Sequence, residues 1–296
     1  MISTPVSRFI TAADGLSLHV RDYGGADNTA LPVVCLPGLT RTAEDFEILA
    51  TALAAGGRRV IAIDYRGRGR SDYDADPAKY SLPVELGDVI AIIAALQCEL
   101  AVFVGTSRGG ILTMLLASVR PAAIAGAVLN DIGPVLEPAG LERIKGYVGK
   151  LPQPKDYEDA AAILMRLFGP QFPRLALDDW RNSARRGFKE VDGLLMPTYD
   201  VALMQALADI DVSKPIPDLW PQFEALKTVP VMVVRGALSD LLSAQTVEAM
   251  GRRHPGLEPL IVPDQGHAPL LAEPDVIARI ADFVRRCDAT QARRPS

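Results

Sequence analysis

The sequence predicts an α/β protein built on a mostly parallel sheet of eight strands, with helices on both faces and one helical insertion. Three observations carry this. Short, continuously apolar runs recur along the chain with helical segments between them: 33–36, 60–63, 100–104, 124–129 and 231–234. Strands that are apolar on both faces belong to parallel sheets covered on both sides. Each run is followed within two residues by glycine, proline or aspartate, the residues of tight turns. The rhythm stops after Pro134 and resumes at Val229, so residues 1–133 and 229–296 are expected to form one core domain and 134–228 a helical insertion.

The elements follow in order. Arg8 to about Tyr23 predicts a hairpin turning at Asp14-Gly15, in which Leu16, Leu18 and Val20 face inward and His19 faces solvent. The run 33–36 leads into Pro37-Gly38-Leu39. Thr42-Ala43-Glu44-Asp45 then has the character of a capping box before a helix carrying Phe46, Leu49 and Leu53. After the strand 59–63, Tyr65 to Asp72 interleaves three arginines with glycines. That spacing is not a phosphate-binding loop, and the reading is a surface turn with its charges solvated or paired to Asp64, Asp72, Asp74 and Asp76. Ser81 to Gln97 is an amphipathic helix with Pro83 in its first turn. Within the insertion, helices are predicted over 157–168, 175–189, 201–210 and 219–226. A helix from Ser243, a last strand at 259–262 and a closing helix from Pro274 to Cys287 complete the chain, before a polar tail read as frayed.

Composition narrows the function. With 49% hydrophobic residues the chain can bury a sizeable core, and a net charge of -5 argues against a nucleic-acid partner. The three cysteines, Cys35, Cys98 and Cys287, are widely spaced in apolar contexts and read as reduced core residues. No His/Cys/carboxylate cluster has metal-ligand spacing, and no strand–Gly-x-Gly-x-x-Gly–helix unit is present, so no metal and no cofactor are expected. The N-terminus lacks the pattern of a signal peptide and no apolar stretch spans a bilayer. The expectation is a cytoplasmic protein, monomer or homodimer, acting on a small molecule.

The chemistry centres on Gly105-Thr106-Ser107-Arg108-Gly109, between an apolar strand and an apolar helix. A Gly-x-Ser-x-Gly pattern in that setting puts a serine on a strained turn with its hydroxyl exposed. A serine hydroxyl needs a base, and the base needs an acid to fix its tautomer. Of the three histidines, His267 follows the last strand, at the sheet edge where loops after parallel strands gather. Asp240, after the preceding strand, is the expected acid; Asp131, one strand earlier, is the alternative.

These residues resemble the α/β-hydrolase superfamily over nearly the whole chain outside the insertion. Residues 105–109 are similar to its nucleophile elbow, Pro37-Gly38-Leu39 to its oxyanion loop (usually His-Gly), and Asp64 to Ser71 to its Asp-x-Arg-Gly-x-Gly-x-Ser turn. Gly236 to Asp240 and Gly266-His267 match its acid and base loops. The resemblance implies a Ser107, Asp240, His267 triad, with the backbone N–H groups of Leu39 and Arg108 as oxyanion hole. It implies a hydrolase of a small carboxylic ester. A carbon–carbon hydrolase of diketo acids and a non-enzymatic receptor for a small molecule are the alternatives on this fold. Phe168, Phe172, Trp180, Tyr199 and Trp220 are candidates to line an acyl pocket. Arg41 or Arg108 is a candidate to bind a substrate carboxylate, against a salt bridge to Glu137 or Asp200.

Overall fold

The computed structural model describes residues 4–25, 29–207, 211–212 and 214–292. The start of the N-terminal reading (1–3), the end of the helix predicted over 201–210, and the last four residues of the tail lie outside these. Eight strands form one sheet: β1 (Val6–Thr11), β2 (Ser17–Asp22), β3 (Val33–Leu36), β4 (Val60–Ile63), β5 (Ala101–Thr106), β6 (Ile124–Asn130), β9 (Val231–Gly236) and β10 (Leu257–Val262). Their spatial order is β1-β2-β4-β3-β5-β6-β9-β10. β1 and β2 pair antiparallel, as does β2 with β4; every pair from β4 onward is parallel.

Alternation along the central strands separates two cores. Val33 and Cys35 of β3 and Val102 and Val104 of β5 point to the face covered by α1 (Glu47–Ala55) and α9 (Pro274–Ala292). Val34, Leu36 and Phe103 point to the opposite face, under α2 (Leu82–Ala95), α3 (Arg108–Val119) and α8 (Ala244–Arg253). Both faces are therefore dry, which is why these runs are continuously apolar. Cys35, Cys98 and Cys287 are buried free thiols. No described helix is long and apolar enough to cross a membrane.

Between β6 and β9 lie α4 (Pro138–Tyr147), α5 (Tyr157–Phe168), α6 (Leu177–Gly187) and the short α7 (Trp220–Glu224). This segment is not wholly helical. Phe188–Val191 and Leu194–Pro197 form an antiparallel hairpin, β7 and β8, where a helix was expected to run on to Lys189. Asp192 and Gly193 both have positive φ at its tip, an Asp-Gly turn that fits the strand twist. The described part of the stretch predicted as a helix from Val201 is a 3₁₀ turn ending at Leu207. Phe172, Trp180, Phe188 and Leu195 give the segment a small core of its own.

Candidate active site

β5 ends at Thr106 and α3 begins at Arg108, leaving Ser107 alone on the turn with φ +50° and ψ −114°. A non-glycine residue pays for that conformation in strain. It is held because the chain packs too closely to relax: a Cβ on Gly105 would lie 2.5 Å from the Gly109 backbone, and one on Gly109 would collide with the Leu36 carbonyl. The Ser107 N–H donates to the Asn130 carbonyl at 2.9 Å, tying the turn to β6. The Arg108 amide is the first N–H of α3, with no carbonyl one helical turn behind it.

His267 lies in the loop after β10. Its Nε2 is 2.9 Å from Ser107 Oγ and its Nδ1 is 2.8 Å from Asp131 Oδ2. The acid at the imidazole is thus Asp131, not Asp240. Asp131 directly follows β6, is fully buried, and its other oxygen accepts the Gly236 N–H at 2.8 Å. Ser239 Oγ donates to Oδ2 at 2.5 Å. Asp240 is held away by Arg143 of α4, which donates from Nε at 2.6 Å and Nη2 at 2.9 Å. Burial opposes ionisation of Asp240, but this bidentate guanidinium and a bond from Gln171 together hold the carboxyl below its ordinary value. The sequence places both acids after neighbouring parallel strands at one edge. The helix bearing Arg143, which decides between them, was not foreseen.

A second Ser–His–Asp chain corrects the reading of His19. That residue is buried, not exposed: Nδ1 is 2.7 Å from Asp64 and Nε2 is 3.1 Å from Ser7 Oγ. Ser7 sits in regular antiparallel pairing with Arg21, without the strained turn that frees Ser107. The Asp64 carboxylate also accepts the backbone N–H of Ala43 and Arg70, so this cluster pins the loops after β3 and β4.

The arginine loop is not a surface turn. Arg66 and Arg68 are buried. Arg66 makes paired bonds of 2.7 Å to Asp88 and reaches Asp14 and Asp74. Arg68 donates to the Leu39 carbonyl at 2.8 Å and to Glu85 Oε1 at 2.7 Å. The other oxygen of Glu85 accepts Arg108 Nε at 2.5 Å. The Arg108 side chain is therefore committed to a salt bridge, with Glu85 in place of Glu137 or Asp200. One buried carboxylate links the loop carrying Leu39 to the start of α3. Glu85, on the buried side of α2, gave no signal in the sequence beyond interrupting an apolar stripe.

A cavity of about 210 Å³ opens on Ser107 and His267 and is lined by Gly38, Leu39 and Arg41 below, with Tyr147, Phe168 and Arg186 above. A second cavity adjoins it, with Phe168, Phe172, Trp180 and Tyr199 in its wall beside Arg41 and Arg186. Trp220 is elsewhere: it packs edge-on to Phe223 with the Arg253 guanidinium 4.0 Å from its ring centre. His254 is also remote, its Nε2 3.0 Å from the Val229 carbonyl.

An eight-stranded, mostly parallel sheet with a serine on the strand-to-helix turn of a central strand, facing a histidine at the same edge, defines the class of α/β hydrolases. The chain belongs to the alpha/beta hydrolase family, which residues 33–280 match. It is 36% identical to the 3-hydroxybutyrate-oligomer hydrolase of Cupriavidus necator, over 96% of this chain and 99% of that one. It is 28% identical to the 2-(acetamidomethylene)succinate hydrolase of Mesorhizobium japonicum, over 91% and 92%. Among solved structures, an alpha/beta hydrolase from Novosphingobium aromaticivorans superposes with a TM-score of 0.89 at 44% identity, covering 97% of this chain and all of that one.

Proposed function

We propose that this hydrolase cleaves short carboxylic esters through a covalent acyl-serine, using Ser107, His267 and Asp131. The observation that carries the reading is the unbroken hydrogen-bonded chain from Ser107 Oγ through both imidazole nitrogens to a buried carboxylate, in the wall of a half-covered cavity. Ser107 Oγ attacks the ester carbonyl as its proton passes to His267 Nε2. Asp131 fixes the tautomer and stabilises the imidazolium without taking the proton. The N–H groups of Leu39 and Arg108 receive the developing oxyanion, each worth about 100-fold in rate or more. The imidazolium then protonates the departing alkoxide, and water, deprotonated by the same nitrogen, releases the acid and restores the serine.

The likeness to a 3-hydroxybutyrate-oligomer hydrolase over nearly the whole of both chains supports a short ester of a hydroxy acid as the substrate class. The modest cavity volume accommodates such a chain. A fluorophosphonate probe is expected to label the folded protein at Ser107 and to abolish hydrolysis of p-nitrophenyl butyrate. Ser107→Ala is expected to be neither labelled nor active. Labelling at another residue, or activity surviving in Ser107→Ala, sinks the reading.

A further inference from the structure

Resting on the ester-hydrolase reading, we propose that Arg41 and Arg186 form a subsite for a free carboxylate of the substrate, a few bonds from the scissile carbonyl. Arg41 stands on the loop that carries Leu39, and its stem flanks Ser107 across Gly38. A Cβ at that glycine would lie 3.4 Å from Arg41 Cγ and 3.9 Å from Ser107 Cβ. Arg186 reaches down from α6 on the opposite wall. Both guanidinium-bearing side chains line the cavity over Ser107 and the cavity beside it, so a substrate spanning the two lies against them.

What sets these two cations apart is incomplete pairing. Arg66, Arg68, Arg108 and Arg143 each hold a carboxylate oxygen at 2.5–2.7 Å. Arg41 and Arg186 share one oxygen of Asp45, at 3.7 and 3.9 Å, beyond hydrogen-bond reach. The other Asp45 oxygen accepts the Thr42 N–H as part of the capping box before α1. The remaining acids of that wall are engaged: Asp179 accepts the Ala176 N–H at 2.8 Å, and Glu44 and Glu47 face Arg21 at 3.1 and 3.5 Å. Arg186 has one further weak contact, to Ser183 Oγ at 3.4 Å. Two guanidiniums thus share part of one carboxylate in a half-covered cleft. An incoming carboxylate supplies the acceptor both lack, in charge-assisted bonds that a neutral group does not offer.

The test compares acetate release from 3-acetoxybutanoate and from the uncharged 3-acetoxybutanamide. The wild-type protein is expected to favour the acid. Arg41→Gln and Arg186→Gln are each expected to lower the acid-to-amide ratio of kcat/KM by about tenfold or more. Arg185→Gln removes the same charge from an exposed neighbouring position and is expected to leave the ratio within about twofold. An unchanged ratio in both Gln variants overturns the subsite, as does an equal drop in Arg185→Gln, which would indicate a diffuse field. Should the variants not fold, inhibition of the wild type decides: 3-hydroxybutyrate should bind about tenfold tighter than 3-hydroxybutanamide, and equal inhibition overturns the subsite. Absence of turnover on both esters, with Ser107 unlabelled by a fluorophosphonate, instead overturns the hydrolase reading itself.

Discussion

Asp131 Oδ2 lies 2.8 Å from His267 Nδ1, although 136 residues separate them. The two meet because β6 and β10 are both parallel strands whose carboxyl ends open on the same edge, with only β9 between them. Three further constraints aim the carboxylate: a positive φ at Asp131, the Gly236 N–H on one oxygen and the Ser239 hydroxyl on the other. Asp240 sits beyond the end of β9 and turns instead to Arg143.

Under the proposed mechanism the two acids separate by kinetics. Asp131→Asn leaves the shape of the site intact but presents the wrong hydrogen-bond partner to Nδ1, and kcat on p-nitrophenyl butyrate is expected to fall about 10⁴-fold. Asp240→Asn is expected to cost about tenfold or less, through a loosened α4. The reverse ranking would return the acid's role to Asp240.

Glu85 ties Arg68, and through it the Leu39 carbonyl, to Arg108 at the head of α3. Those are the two segments whose N–H groups are proposed to hold the oxyanion. Glu85→Gln leaves the buried Arg68 guanidinium and the partly buried Arg108 without a counter-charge, and a loss of about 3–5 kcal/mol in urea-induced unfolding is expected. Arg108→Ala tests the same link more gently: kcat is expected to drop by a similar factor for acidic and neutral esters. A selective loss on acidic esters would show that Arg108, not Arg41, meets the substrate's charge.

Acid sensitivity should be traceable to Arg143. Arg143 holds the Asp240 carboxyl below its ordinary value near 3.8 despite partial burial. A carboxyl whose folded pKa is depressed contributes stability that is fully present above the unfolded value and lost as pH falls through the folded one. Arg143→Met is therefore expected to be less stable than wild type by about 1–2 kcal/mol at pH 7. The gap is expected to close progressively below pH 4. Urea unfolding at pH 7, 5 and 3 reads it directly, and a gap independent of pH would remove the ion pair as its source.

The sheet was readable because each central strand is apolar on both faces, a pattern that burial on two sides imposes along any such strand. The serine turn was readable because its glycines sit where a side chain would strike the Leu36 carbonyl or the α3 backbone. Both are local demands, written in adjacent residues. Capping at Thr42 belongs with them: its hydroxyl accepts the Glu44 N–H, and Asp45 returns the bond to the Thr42 N–H.

Other features were decided between segments. His19 alternates outward in its hairpin by pattern, yet Asp64, after β4, and Ser7, on the paired strand, enclose it. Arg66 and Arg68 read as charges solvated or paired within their own loop; Arg66 does meet Asp74, but Asp88 and Glu85 of α2 bury both guanidiniums. The β7–β8 hairpin interrupts a stretch that reads as helix because its pairing partner lies beyond a turn.

By itself, then, the sequence determined the parallel sheet and the strained serine, since each depends on periodicity or on sterics within a few residues, and it put His267 after the last strand, at the edge where the serine stands. Which aspartate completes the chain to His267 was decided only by the tertiary structure. Two carboxylates end at one sheet edge, and the choice between them is made by long-range charge pairing: Arg143 holds Asp240, leaving the imidazole to Asp131.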